Sequence, residues 1–139
     1  MEHSRIRVLS VDDHPLFREG IAMVIDYQSD MVLVSQACGG KEAVRHYREH
    51  LPDVTLMDLS MPDLSGIDAL LEIKAEFADA RVIILTTFES DVEIRRATIE
   101  AGASGYLLKN LPPSELAQAI RQVHAGMKWV APNSRIRPK

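Results

Sequence analysis

The stretch DVTLMDLSMPDLSG, residues 53–66, sets the reading of the whole chain. DVTLMDL (53–59) reads as a strand whose near-continuous apolar run is the pattern of a parallel strand covered on both faces. Asp58 stands at its end. A Met61-Pro62-Asp63 turn follows, and a helix begins at Ser65 or Gly66, with Ile67, Leu70, Leu71 and Ile73 as its apolar positions reaching toward Phe77. A strand followed at once by an amphipathic helix is a β–α unit, and the question is how often it recurs.

It recurs along the whole chain. IRVLSV (6–11) reads as a strand, and Pro15 then opens a helix with Leu16, Phe17, Ile21, Val24 and Ile25 on one face. MVLVSQA (31–37), bounded by Asp30 and Gly39, precedes a short exposed helix over 41–50 that ends before Pro52. RVIILTT (81–87) is the most uniformly apolar strand and leads to a helix over 91–101. ASGYLLK (103–109) precedes a helix over 114–126, with Ser114 as its expected N-cap and Gly126 as its stop. Five successive β–α units with right-handed crossovers predict an α/β, doubly wound (βα)5 three-layer sandwich. Its parallel five-stranded sheet takes the order 2-1-3-4-5. Ligands in such sheets bind beyond the carboxyl ends of the strands where the order reverses, here just after Val11 and Met57.

Composition bounds the function. The 139 residues are 46% hydrophobic and 26% charged, which suits one globular domain. A net charge of −4 does not suit a chain that binds nucleic acid by itself. No segment approaches the ~20 apolar residues that a membrane span needs. One cysteine and no signal-peptide pattern predict a reducing, cytoplasmic setting. After Glu115 there is no acid, while Arg121, Lys128, Arg135, Arg137 and Lys139 follow. VAPNSRIRPK, from Val130, has no apolar period, so residues 1–126 read as the domain and 127–139 as a linker or tail. Trp129 is expected to anchor the segment after the last helix. Cys38 reads as a small packing residue and His14 as an exposed loop residue, with no second histidine at ligand spacing. Gly39-Gly40-Lys41 lacks the rest of a phosphate-loop motif and reads as a turn.

The strand ends carry the chemistry. Asp12 and Asp13 end the first strand, Asp58 the third, Thr86 and Thr87 the fourth and Lys109 the fifth. Three neighbouring carboxylates repel one another, and a hard divalent cation resolves the conflict. Mg²⁺ prefers carboxylate oxygens and is usually completed by water and a phosphate oxygen. Lys109 and Thr86 supply a fixed cation and a hydroxyl for the phosphoryl oxygens. The set reads as a phosphoryl-transfer site in which a carboxylate is the nucleophile.

VDDHP (11–15), MDLSMPDLSG (57–66), ILTTF (84–88) and GYLLK (105–109) together resemble the signature of the receiver domain of bacterial two-component response regulators. The resemblance covers about residues 5–125 and implies the flavodoxin-like form of the doubly wound fold. GYLLKN followed by PPSEL resembles the NarL/FixJ-type subfamily, whose members usually carry a C-terminal LuxR-like helix-turn-helix domain. It implies that Asp58 is the phosphoacceptor, becoming a 4-aspartylphosphate, with Asp12, Asp13, Asp58 and the backbone carbonyl of Ser60 around Mg²⁺. Thr86 and Lys109 then meet the phosphoryl group. Tyr106 is the switch aromatic that turns when Thr86 moves. Ser60, Thr87 and Phe88 flank the site and tune water access, with Phe88 as a possible shield. The implied partners are a sensor histidine kinase and, on phosphorylation, a second copy of the chain. DNA is reached only through a C-terminal domain outside these 139 residues, and transcription is the regulated output. The chain is then a signalling domain and catalyses only its own phosphorylation and dephosphorylation.

One departure is that Asn110, not proline, follows Lys109, so the Lys109–Asn110 bond is expected to be trans. Another is that no helix-turn-helix pattern is present, which reads as a truncated chain rather than a stand-alone receiver. Rival readings are an aspartyl-phosphate phosphatase, a flavin-binding module and a non-phosphorylated pseudo-receiver. The phosphatase wants a D-x-D nucleophile on the first strand, and the flavin module wants a glycine- and hydroxyl-rich phosphate loop where DDHPLFREG stands. Plain structural roles also compete: a helix N-cap for Asp12 or Asp13, a backbone-satisfied strand hydroxyl for Thr86 and a core aromatic for Tyr106.

Overall fold

The first strand, β1 (Ile6–Val11), is paired on both sides, by β2 (Met31–Ala37) and by β3 (Val54–Asp58). The sheet continues through β4 (Val82–Thr86) and β5 (Gly105–Leu108), all parallel, so the expected order 2-1-3-4-5 is found. The computed structural model describes residues 4–87 and 92–130. Its helices are α1 (Pro15–Tyr27), α2 (Gly40–His50), α3 (Gly66–Glu76), α4 (Val92–Glu100) and α5 (Pro113–His124). Phe88 and residues 131–139 lie outside the described residues.

Alternation along the central strands splits the core into two layers. Leu9, Val11, Met57, Val82 and Ile84 point to the face covered by α2, α3 and α4. Val8, Val54, Leu56, Ile83, Leu85 and Leu107 point to the face covered by α1 and α5. Strands buried on both faces need apolar residues at nearly every position, which is why β3 and β4 are near-continuous apolar runs.

Several local features differ from expectation. The sheet gains a sixth, two-residue strand, β6 (Trp129–Val130), parallel to β5, with Gly105 opposite Trp129 and Tyr106 opposite Val130. Gly126, at φ +97°, reverses the chain after α5, and the Trp129 amide donates to Ser104 O at 3.0 Å. Trp129 packs on the α1/α5 core, so its anchoring role is found in strand form. α5 starts at Pro113, not after a Ser114 cap. The Pro112 carbonyl accepts the first helical amides, from Glu115 at 3.0 Å and Leu116 at 3.2 Å, and proline at the first position fixes a helical φ without an orphan donor. Cys38 is exposed rather than packed: it follows the edge strand β2, and its amide donates to Glu42 at 2.8 Å. The Lys109–Asn110 bond is trans, as expected, and no cis peptide occurs among the described residues. Among the described residues no helix is long and apolar enough to cross a membrane.

The glycine pair 39–40 has a use beyond a turn. The N-terminus of α2 receives the β3–α3 loop, with Asp63 accepting from the Gly40 amide at 3.0 Å and the Lys41 amide at 3.1 Å. A Cβ on Gly40 would lie 2.4 Å from Leu64 O. Slight burial opposes the charge of Asp63, but the amides of Lys41 and Gly40 outweigh it and hold the carboxyl below the usual range. Asp63 is therefore a helix cap donated from another loop. Asp63→Ala should lower unfolding stability by about 1 kcal/mol, the ordinary loss of an N-cap, read as a lower urea midpoint with an unchanged slope.

Candidate functional site

Strand parity explains how distant residues meet. Asp58 lies two positions after Leu56, Lys109 two after Leu107, and Asp12 four after Val8, so all three continue the α1/α5 face past the sheet end. Asp12 and Asp58 leave the adjacent strands β1 and β3 at the point where strand order reverses.

Lys109 joins the acids. Its Nζ lies 2.7 Å from Asp12 Oδ2 and 3.1 Å from Asp58 Oδ1. The Lys109 side chain is 11% exposed and those of Asp12 and Asp58 are 3% and 5% exposed, so little solvent screens these pairs. Asp13, more open, stands beside them. Asp12 Oδ1 also accepts from the His14 amide at 2.8 Å and contacts His14 Nδ1 at 2.9 Å, while Asp13 Oδ1 is 3.2 Å from the same nitrogen. On the backbone, the Asp12 carbonyl accepts from the Arg18 guanidinium at 2.7 Å. The Phe17 ring covers another side of the ammonium, with Nζ 4.5 Å from its centroid.

Counted by formal charge, three carboxylates against one ammonium leave the cluster with an excess of −2. Burial, and then the charge of Asp12, push the Asp58 carboxyl above the usual range despite Lys109. Burial works against the ammonium of Lys109, but Asp12 and Asp58 outweigh it and hold the group above the ordinary lysine value. Asp58 Oδ2 is buried and has no hydrogen-bond partner. One oxygen each from Asp12, Asp13 and Asp58, with a His14 nitrogen, lie within 4.8 Å of one another, close enough to share one metal ion. Hard oxygen donors, an excess charge of −2 and an unsatisfied carboxylate oxygen fit a divalent cation.

A cleft of about 430 Å³ opens over Lys109 and is lined by His14, Phe17, Thr86, Thr87, Leu108 and Asn110. Thr86 ends β4 in register with Leu108, so its hydroxyl-bearing residue stands beside the acid cluster but on the opposite strand parity from Asp58. Tyr106, paired with Ile84 two residues before Thr86, is buried in the α2/α3/α4 layer. Ser60 is exposed, two residues past Asp58.

A family model for the response regulator receiver domain matches residues 8–121. The chain belongs to the response regulator receiver family. The oxygen regulatory protein NreC of Staphylococcus epidermidis is 40% identical over 126 residues, which are 90% of this chain and 57% of NreC. A LuxR-family two-component response regulator from Aurantimonas sp. SI85-9A1 superposes with a TM-score of 0.88 at 38% identity, covering 94% of this chain and 92% of that one. The receiver domain of the NarL regulator of Mycobacterium tuberculosis superposes with a TM-score of 0.85 at 30% identity, covering 89% and 99%. The chain spans a little over half the length of the curated relatives it matches. These are relatives of the NarL and LuxR kind that the GYLLKN–PPSEL stretch resembles.

This receiver thus brings together Asp12, Asp13, Asp58 and Lys109, with Thr86 on the cleft wall. It leaves Tyr106 a layer away and Ser60 at the rim. His14 is exposed as expected, at 66% of its side chain, yet it touches both acids of the first loop. Phe17 and Arg18 were legible only as part of an amphipathic helix, since nothing in their spacing points to residue 109 or to the Asp12 carbonyl.

The raised Asp58 value has a sign. The folded receiver holds that proton more tightly than the unfolded chain, so its stability falls as pH rises from the ordinary carboxylate value of 3.8 through the higher native one. Asp58→Asn removes this term while Lys109 keeps Asp12. In metal-free buffer at pH 7 the variant should show a higher denaturant midpoint than the parent, and that lead should disappear when the pH is brought below 3.8.

Proposed function

We propose that this receiver accepts a phosphoryl group on Asp58 from a phosphohistidine of a sensor histidine kinase. The observation that carries this reading is the buried carboxylate of Asp58, with Oδ1 held by Lys109, whose side chain lines the cleft, and Oδ2 free of any hydrogen bond. A carboxylate oxygen forms the new O–P bond as the N–P bond of the donor breaks. Burial makes Asp58 a more basic nucleophile than a solvated aspartate. Lys109, already charged and paired to Asp58, neutralises charge on the transferring oxygens after only a short shift of its ammonium. Thr86 offers its hydroxyl from the other wall. Asp12, Asp13 and Asp58, with the carbonyl of Ser60, would hold Mg²⁺, which when bound supplies positive charge to the phosphoryl oxygens.

The product changes the charge balance. A phosphoryl group adds about −1.5 to −2 charge and strong acceptor oxygens, which draw Lys109 and Thr86 toward it. Tyr106, buried in this structure, is the aromatic whose position follows Thr86. Moving such an equilibrium from 1:99 to 99:1 needs about 5.5 kcal/mol of differential interaction, within reach of a few charge-assisted hydrogen bonds. The shifted state favours a homodimer. Transcription is controlled in the cytoplasm through a C-terminal DNA-binding domain outside these 139 residues. Outside its own phosphorylation and dephosphorylation the receiver catalyses nothing.

Incubation with a small acyl-phosphate donor and Mg²⁺, followed by intact mass, tests the assignment. The parent should gain one phosphoryl group and Asp58→Asn none. Lys109→Ala should gain it about 10²-fold more slowly, the cost of losing one preorganised charge-stabilising donor. An adduct on Asp58→Asn, or none on the parent, rejects the reading.

A further inference from the structure

Lys109 is held on one side by acids and on another by an aromatic ring, and that ring does not belong to the acid cluster. Phe17 is the third residue of α1, half-buried, and packs on the core between α1 and α5. It lines the cleft over Lys109 and also an apolar groove bounded by Leu16, Val24, Leu111 and Pro113. The ring, like His14 and Lys109, borders both, and Lys109 lies against it. An ammonium has three donors. Two carboxylate oxygens take the side toward Asp12 and Asp58, and the ring face attracts the charge from another side without accepting a directed bond.

The absence of direction has a use in phosphoryl transfer. Lys109 pairs with Asp58 Oδ1 in this structure, yet after transfer its proper partner is a phosphoryl oxygen farther out on the same side chain. A hydrogen-bond acceptor at the place of Phe17 would hold the ammonium back, and a carboxylate there would add to the excess negative charge. An aliphatic side chain would exclude water but attract nothing. A ring keeps the ammonium desolvated and attracted while letting it slide across its face. We propose that Phe17 is a positioning residue for the reaction, acting through Lys109 and never touching the phosphoryl group. The proposal rests on the reading of Asp58 as phosphoacceptor.

The test is a double-mutant cycle on the rate of phosphoryl uptake from an acyl phosphate with Mg²⁺, followed by intact mass. Phe17→Leu keeps an apolar side chain and removes the ring, and should slow uptake by roughly fivefold, the range expected of a partly desolvated cation–π contact. Phe17→Met gives the same comparison should the leucine variant fold poorly, and circular dichroism checks the fold of each. Phe17→Tyr keeps a ring face and should recover most of the rate. In a Lys109→Ala background, Phe17→Leu should change the residual rate by less than twofold. A purely structural role would slow both backgrounds alike and would not distinguish tyrosine from leucine, and either result overturns the proposal, as does an unchanged rate in Phe17→Leu. If the parent takes up no phosphoryl group, the Asp58 reading fails and the role of Phe17 falls with it. If the parent does and the cycle shows no coupling, only the role of Phe17 fails.

Discussion

Two buried carboxylates, Asp12 and Asp58, share one ammonium, that of Lys109, and the strand ends are arranged around that sharing. At an effective dielectric of about 20, unit charges 4 Å apart interact by about 4 kcal/mol, so attraction to Lys109 and repulsion between the acids are terms of similar size. The pKa directions say where each wins. Attraction wins at Lys109, which is held charged, while burial and repulsion win at Asp58, which is pushed toward its protonated form. Asp13 adds a third negative charge at the open side. The cluster is thus balanced for its cation and underbalanced for its anions, the state expected of a site that trades stability for chemistry.

Topology places this imbalance at a junction between two layers. Asp12, Asp58 and Lys109 continue the face that packs on α1 and α5, and the ring of Phe17 on α1 completes it. Thr86 and Tyr106 continue the opposite face, toward α2, α3 and α4. A group appended to Asp58 would be met by an ammonium from one layer and a hydroxyl from the other. The register of β4 on β5, Thr86 opposite Leu108 and Ile84 opposite Tyr106, puts the hydroxyl-bearing residue and the aromatic two pairings apart on adjacent strands. Coupling between them would need to cross one strand spacing, a distance over which packed side chains respond together.

Much of this was legible in the sequence, for physical reasons that also mark its limits. β1 and β2 were read at their observed ends and β3, β4 and β5 within two residues, because short runs rich in β-branched residues, such as RVIILTT, favour a strand covered on both faces. The strand-end residues followed, since the rule that ligands lie beyond the carboxyl ends turns a one-dimensional boundary into a place. The contacts of α1 did not follow. Phe17 meeting Lys109 joins residues far apart in sequence, and an amphipathic pattern states only that the ring faces inward. β6 escaped because two residues carry no period, and the Ser114 cap was displaced by the backbone carbonyl of Pro112, which needs no side-chain signal. Asp63 was read as part of a turn, whereas its carboxylate binds the amides of a helix that precedes it by more than twenty residues.

That last contact bears on the position of Asp58. The loop after β3 is fixed at several points: Asp63 on the N-terminus of α2, Ser65 Oγ accepting from the Asp68 amide at 3.1 Å, and the Gly66 amide donating to Leu59 O at 2.8 Å. A Cβ on Gly66 would stand 2.3 Å from Asp58 O, so the start of α3 lies directly against the backbone of the acid. Glycine there is a requirement of close approach rather than of backbone angle. With the start of α3 packed against its backbone and one oxygen paired to Lys109, Asp58 is oriented in the folded chain, which for the phosphoryl acceptor proposed above would meet the ordering cost of aligning a nucleophile in folding rather than at the moment of reaction. At the other edge, β6 hangs on β5 by backbone pairing at Gly105 and Tyr106, so the described residues end on a strand beside the one that leads to Lys109. If Asp58 is the phosphoacceptor proposed above, the strand pairing that runs from β3 through β4 and β5 to β6 is the route by which its change of charge would reach that edge.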